Sequence, residues 1–295
     1  MRVALIGVGL IGGSAVAAWR AAGQVTRAVG VDRDPQVVAL AIERGVLDAG
    51  AASIAEAVAD ADLVLLAVPV GAMAAVLAEV AAAVPPYALI TDVGSTKRSV
   101  IDAARAALSA SSSFSFRRFV PAHPIAGGEL PGVAHASATL FKGKRLVTTP
   151  VAETHADALD RVEALWRAAG ADVLRMDADE HDAIFAAVSH LPHLLSFALV
   201  AQIAAEPDGA RKLSFGGAGF RDFTRIAASS AVMWRDIALA NRASLSAELA
   251  GYRALLERLQ QAVDAGDGET LRQVFERASR ARRAVTGHLP EVERE

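Results

Sequence analysis

Short apolar, β-branched runs alternate with helical patterns through the first part of the chain. Val3 to Ile6 comes first, then a helix over Leu10 to Ala22, a strand Val25 to Val31, a helix from Pro35 and a strand Leu63 to Val68. Such alternation predicts a parallel sheet built from strand–helix–strand crossovers. Further strands are expected at Ala88 to Asp92, Arg118 to Ala122 and Arg145 to Thr148, and a last one at Asp172 to Arg175 follows a helix Thr154 to Ala169. The run Leu63-Val64-Leu65-Leu66-Ala67-Val68 is apolar on both faces, which a sheet covered by helices on both sides requires.

Beyond Met176 the strand signal fades and long helical segments begin with Glu180 to Glu206. The expected architecture is an α/β domain over 1–175 followed by an all-α domain over 176–295. Leu245, Leu249, Tyr252, Leu256, Leu259 and Val263 recur at spacings of four and three, on one stripe of a helix that stops near Gly266-Asp267-Gly268. That stripe packs either in a core of its own chain or as the seam of a homodimer. Ser109 to Ser115 reads as a surface loop.

Composition narrows the classes. At 295 residues, 53% hydrophobic and 21% charged, the chain suits two globular domains and excludes disorder. Aromatics at 5% and a net charge of -3 argue against nucleic acid as a partner. With no cysteine there is no disulfide, thiolate nucleophile or zinc–thiolate site. The start, Met1-Arg2-Val3-Ala4-Leu5-Ile6, lacks a leader pattern, so a cytoplasmic location is expected. The apolar stretch Ala61 to Val84 is interrupted by Asp62, Pro69 and Glu79, and no membrane segment is expected.

Gly7-Val8-Gly9-Leu10-Ile11-Gly12 follows the first strand and opens a helix, and Asp32 ends the second strand 20 residues after Gly12. In that context the glycines predict a Rossmann-type dinucleotide site. Gly7 permits the turn, Gly9 lets the backbone approach a pyrophosphate and Gly12 allows close helix–strand packing. The helix start at Leu10 and Ile11 attracts the phosphates, and Asp32 holds the adenosine ribose. A carboxylate there favours NAD over NADP, although Arg33 beside it offers a partner to a 2′-phosphate. Val68 and Pro69 end a strand where such a fold lines the nicotinamide crevice, and an apolar strand end is also explained by packing alone.

Asp92-Val93-Gly94-Ser95-Thr96-Lys97 leads from a strand into a helix expected over Thr96 to Leu108, with Ser95 at the N-cap and at the ligand edge of the sheet. Pro121-Ala122-His123-Pro124-Ile125-Ala126-Gly127-Gly128-Glu129 sets a histidine at a strand end, in a loop whose prolines and glycines predict an unusual backbone path. His123 there is the candidate general base, since imidazole titrates near neutrality and can take a hydroxyl proton as its carbon loses a hydride. Glu129 either orients it or caps a turn. His190 and His193 share a helix face, but two imidazoles without a third ligand do not make a metal site, so no metal is expected. Pro192 beside them predicts a kink or a fresh helix start, and Trp234 reads as a core position.

These blocks, with Ser189-His190-Leu191-Pro192-His193, Gly219-Phe220-Arg221-Asp222-Phe223-Thr224-Arg225-Ile226-Ala227 and Met233-Trp234-Arg235-Asp236, resemble the prephenate/arogenate (cyclohexadienyl) dehydrogenase family in order along nearly the whole chain. The resemblance implies NAD-dependent oxidative decarboxylation of prephenate to 4-hydroxyphenylpyruvate, or of arogenate to tyrosine, with release of CO2 in tyrosine biosynthesis. It implies that His123 contacts the ring hydroxyl, that Ser95 assists it, and that His193 and Arg225 belong to the substrate pocket. An arginine suits that place, because its planar fork pairs bidentately with a carboxylate. Arg221, four residues before Arg225, is either a second anion contact or a solvated charge. Two other readings stay open on the nucleotide half alone: a β-hydroxyacid or imine-reducing dehydrogenase, and a non-catalytic NAD-sensing module.

Overall fold

The computed structural model describes residues 1–109, 115–128 and 130–286. Its N-terminal part alternates strands β1 (Arg2–Ile6), β2 (Arg27–Val31), β3 (Ala49–Gly50), β4 (Leu63–Leu66), β5 (Leu89–Asp92) and β6 (Phe119–Val120) with helices α1 (Leu10–Ala21), α2 (Pro35–Glu43), α3 (Ile54–Val58), α4 (Met73–Ala83) and α5 (Arg98–Ser109). The six strands form one parallel sheet in the order β3-β2-β1-β4-β5-β6. The order reverses between β1 and β4, so a crevice opens beyond their C-terminal ends, where ligands of such sheets bind.

The physical reason for the layering is visible in β4, whose four residues Leu63, Val64, Leu65 and Leu66 are all fully buried. Two apolar clusters cover the faces, one around Trp19, Leu5 and Leu65 and one around Ile6, Leu66 and Ile90. In the first, Trp166 meets Trp19 edge-on at 5.0 Å and Phe141 at 5.2 Å, contacts worth about 0.5–1.5 kcal/mol each beyond the area buried.

The expected strand Arg118 to Ala122 is split. After β6 the chain changes partners, and β7 (Ala122–Pro124) pairs antiparallel with β8 (Arg145–Thr148), which pairs parallel with β9 (Asp172–Arg175) after helix α6 (Ala156–Ala168). His123 therefore lies on a strand of a second, three-stranded sheet, opposite Val147, and not in a loop. Neither Gly127 nor Gly128 has a positive φ, so the expected unusual path is absent, because β pairing fixes the histidine instead.

From Ala178 the chain is helical: α7 (Ala178–Phe185), one π turn (Ala186–His190), α8 (Leu191–Ala204), α9 (Gly209–Ser214), α10 (Ala218–Thr224), a 3-10 turn (Arg225–Ala228), α11 (Ala231–Ala240) and α12 (Arg242–Asp264). Ala178–Ala204 is long and apolar enough, with a mean hydropathy of 1.7, to cross a membrane by length and composition, a run not foreseen in the sequence because histidines and Asp182 interrupt it. His181, Asp182 and His190 on this run are instead buried and hydrogen-bonded within the protein.

Contacts divide the chain into two compact units, Met1–Leu245 and Ser246–Glu295. The second holds most of α12, the turn at Gly266 (φ +64°) and α13 (Gly268–Thr286), started by Asp267 accepting from the Thr270 amide. The predicted stripe on α12 is only partly covered: Leu245 is buried, whereas Leu256 is 46% and Val263 64% exposed.

Candidate active site

The parallel order brings the residues after β1, β4, β5 and β6 to one edge. Gly7 takes φ +90° and a Cβ there would lie 2.6 Å from the Ala67 carbonyl oxygen, so only glycine fits. A Cβ on Gly12 would meet Ala67 and Leu5 at 2.7 Å, whereas Gly9 faces open space. Helix α1 starts there with no side-chain cap, leaving first-turn amides at Leu10 and Ile11 toward an incoming anion. One oxygen of Asp32 accepts from the Val8 amide at 2.8 Å and the other from the Asp34 amide at 3.1 Å, which ties the glycine loop to the end of β2. Arg33 is exposed.

Val68 packs against Gly7, and exposed Pro69 leads into a 3-10 turn, Val70–Ala72. Within that turn a Cβ on Gly71 would lie 2.5 Å from the Asp236 carboxylate of α11. Asp236 in turn accepts from Arg235 Nε at 2.8 Å.

Beyond β5, helix α5 begins at Arg98 and not at Thr96, so Ser95 is not its N-cap. The first amides of the helix, Lys97 N at 2.8 Å and Arg98 N at 3.0 Å, donate to the Asp182 carboxylate of α7. The cap comes from 85 residues away, and it places an anion at the positive end of the helix dipole. Lys97 itself is fully buried and ion-paired with Asp92, and its Nζ donates to the Ala122 carbonyl at 2.7 Å. Asp92 also accepts from Gly94 N at 2.7 Å and from Ala122 N at 3.1 Å. The Lys97–Asp92 pair thus grips both backbone groups of the residue before His123.

His123 Nδ1 lies 2.8 Å from Nε2 of His181, whose Nδ1 lies 2.8 Å from Asp182 Oδ1. Phe185 closes this group, its ring centre 4.9 Å from that of His123 and 4.5 Å from that of His181. Burial, followed by the nearby His181, Lys97 and His190, holds His123 well below the ordinary imidazole range, so it is neutral at physiological pH. His181 is also pushed down, chiefly by burial, against the pull of Asp182.

The π turn at Ala186–His190 adds a residue to the helix just before Pro192, which sits in the first turn of α8. His190 is buried, its Nδ1 accepts from Asn241 Nδ2 at 3.1 Å, and burial pushes it down to about 4. Its Nε2 has no hydrogen-bond partner among the described residues, and the Ser95 main chain lies near enough to favour its charged form. His193 donates through Nδ1 to the Ser189 carbonyl at 2.9 Å and stacks on Trp234 with ring centres 3.5 Å apart. Trp234 is not core: with His190, Leu194, Phe197 and Arg235 it lines an apolar cavity of about 230 Å3.

Arg225 opens the 3-10 turn after α10, and its charge acts on His193. Arg221 belongs to α10 itself, so the two do not share one helix, and its guanidinium is spent on the Gly216 carbonyl at 2.8 Å. Glu129 and residues 110–114 of the expected serine loop lie outside the described residues.

The structure thus assembles two groups, His123 with His181, Asp182 and Phe185, and His193 with Trp234 and Arg225, while His190 acts on both and has the Ser95 main chain beside it. The sequence reading missed His181, Asp182, Lys97 and Asn241. The only signal for the first two was a histidine beside an aspartate one helical turn before an aromatic, inside an acidic stretch that reads as an ordinary helix start.

Comparisons with known proteins place the whole chain beside one family. A family model described as "Prephenate dehydrogenase, nucleotide-binding domain" matches residues 16–175, and one described as "Prephenate dehydrogenase, dimerization domain" matches 177–277. A cyclohexadienyl dehydrogenase of Zymomonas mobilis is 35% identical over 96% of this chain and 95% of its own. A prephenate dehydrogenase of Bacillus subtilis is 34% identical over 94% of this chain and 74% of its own. The crystal structure of prephenate dehydrogenase from A. aeolicus, in complex with hydroxyphenyl propionate and NAD+, superposes with a TM-score of 0.89 at 32% identity, covering 97% of this chain and 98% of that one.

Proposed function

The chain belongs to the prephenate dehydrogenase family, and from that premise we propose that it oxidises prephenate, or its amino counterpart arogenate, with NAD and releases CO2 to leave an aromatic ring. The observation that carries this reading is the placement of His123, fixed by β7–β8 pairing and by its 2.8 Å contact with His181 just after the C-terminal end of β6. We read 1–175 as the nucleotide-binding domain and 176–295 as the substrate and dimerisation domain.

The residues present fit the cofactor. Open space over Gly9, uncapped amides at the start of α1 and a carboxylate at Asp32 already fixed by two amides match a pyrophosphate and an unphosphorylated ribose. The bound nicotinamide supplies the hydride acceptor. Val68 and Pro69 line its crevice, and Arg33 is left in solvent.

His123 takes the ring hydroxyl proton as the C–H hydride leaves, and returns it to the oxygen once the ring carboxylate departs as CO2. The bond to that carboxylate supplies the electron pair that completes the aromatic ring. Ser95, at the same edge, hydrogen-bonds the reacting oxygen, while the apolar cavity beside Trp234 takes the flat ring face. His193 keeps Nε2 as an acceptor because its Nδ1 is engaged by Ser189, and Arg225 pairs with the side-chain carboxylate. Holding the ring against the acceptor is most of the catalytic task, since aromatisation supplies the driving force.

Arg225→Ala is expected to raise KM by about 10- to 100-fold with a smaller change in kcat, because a charged hydrogen-bond pair contributes about 1.5–3 kcal/mol to binding in both ground and transition states. Steady-state kinetics check this, and an unchanged KM overturns the clamp. The reaction itself is tested by following absorbance of reduced nicotinamide with prephenate and with arogenate, each with NAD+ and NADP+. Turnover of at least one substrate with NAD+ is expected, and no turnover with either overturns the reading.

A surface feature supports a homodimer. Val188, Phe215, Val232 and Leu239 of the helical part are 66%, 78%, 57% and 65% exposed, large apolar side chains that a second copy can cover, in the part that matches a family model described as a dimerization domain.

A further inference from the structure

We propose that His181 and Asp182 are positioning residues that set the proton order on His123: Asp182 fixes the tautomer of His181, and His181 fixes that of His123. The proposal rests on the reading of His123 as the base. It extends that reading by saying which nitrogen acts and what stabilises the charge it acquires.

Asp182 is where the order is set. Its Oδ1 accepts from the Lys97 amide and its Oδ2 from the Arg98 amide, at 2.8 and 3.0 Å. Burial raises its pKa, but His181 and these two amides hold it below the ordinary carboxylate value. An ionised carboxylate only accepts, so the 2.8 Å contact with His181 Nδ1 requires a hydrogen on that nitrogen. Neutral His181 then has its lone pair on Nε2, and the 2.8 Å contact to His123 requires a hydrogen on His123 Nδ1. The lone pair of neutral His123 is therefore on Nε2, the nitrogen that faces away from His181.

When His123 takes the substrate proton, its Nδ1–H still points along the chain of rings toward the Asp182 charge. A carboxylate behind an imidazole does the same in hydrolytic triads, where it holds the tautomer and stabilises the imidazolium. Here a second imidazole lies between them. The other groups facing the pair do not supply this charge. Lys97 and Asp92, from the turn between β5 and α5, are paired with each other. His190, from the π turn, is uncharged above about pH 4. Asn241 fixes the far side by donating to the Asp182 carbonyl at 2.7 Å.

The reverse proton order, with a hydrogen on His181 Nε2, would place the His123 hydrogen on Nε2 and leave no lone pair for the hydroxyl. Nitrogen-15 spectra of histidine-labelled wild-type protein, assigned by the signals lost in His123→Asn, distinguish the two. Hydrogen on His123 Nδ1 is expected, and hydrogen on Nε2 overturns the proposal.

Kinetics give the second arm. His181→Met removes the acceptor and is expected to lower kcat by about 10- to 100-fold, the usual effect of losing a supporting hydrogen bond behind a functional ligand, with KM little changed. It should also move the acid limb of kcat/KM to lower pH: the repulsion by which His181 depresses His123 needs both rings charged, and His181, itself pushed down by burial, instead accepts from the imidazolium Nδ1–H, a support the methionine lacks. His181→Gln, whose side-chain carbonyl can still accept from His123 Nδ1, should restore most of the turnover. A folded His181→Met protein with its acid limb unmoved overturns the relay, because a merely structural role would not shift the limb. Near-wild-type turnover of His123→Asn would instead overturn the base assignment, so the two failures are told apart.

Discussion

His123→Asn is expected to lower kcat by about 10²- to 10⁴-fold, the range for loss of a general base, while KM stays close to that of the parent. Asparagine keeps a polar group near the His181 ring but has no basic nitrogen, so the substrate still binds and its hydroxyl has no proton acceptor. The loss should appear equally in kcat and kcat/KM, as it does when an interaction is made only in the transition state. The pH profile of the parent enzyme follows from the same geometry. Burial depresses the pKa of His123 well below its ordinary value of 6.5, so the neutral, basic form persists as pH falls below that value. The acid limb of kcat/KM should therefore lie below the ordinary histidine range, and a limb at or above it would contradict His123 as the base.

Lys97→Met carries the second large effect, on stability. It leaves Asp92 wholly buried without its counter-ion. Removing one partner of a buried pair costs about 3–5 kcal/mol. At about 2–4 °C per kcal/mol for a chain of this size, the thermal midpoint should fall on the order of 10 °C. Adding Asp92→Asn should recover part of the loss, since the buried charge is removed while an acceptor remains for Gly94 N or Ala122 N. Thermal unfolding of the single and double variants measures both. A loss below about 1 kcal/mol would place the pair in the class of solvent-screened surface bridges.

What could be read from the sequence follows from how far each signal reaches along the chain. The sheet was legible because β-branched runs and crossover helices are local, and strands Arg145–Thr148 and Asp172–Arg175 fall where the pattern put them. The glycine loop was legible for the same reason, since Gly7, Gly12 and Asp32 answer to one turn and one neighbouring strand.

The split of the strand before His123 was not legible, because Val120 and Ala122 are equally apolar and only their partners differ. Ser95 looked like a helix cap because its residue type favours one, yet the amides are capped by Asp182, whose tertiary placement no local rule can supply. His193 and Arg225 were named as pocket residues only through the likeness of their segments to a family. Trp234 looked like core because an apolar helix position usually is, and its stacking on His193 depends on how two helices cross.

The contact at Gly71 bears on how variation is tolerated far from the chemistry. Any side chain at that position would press on the Asp236 carboxylate, the acceptor that steadies Arg235 in the lining of the cavity beside Trp234. A single added methyl on the turn after β4 would thus be felt at the cavity beside Trp234, which the turn itself does not line. Gly71 carries no functional group, yet it links the inheritance of the nucleotide half to that of the helical half. Exchange of either half with a relative would have to keep a residue without a side chain there, or replace the acidic residue that faces it.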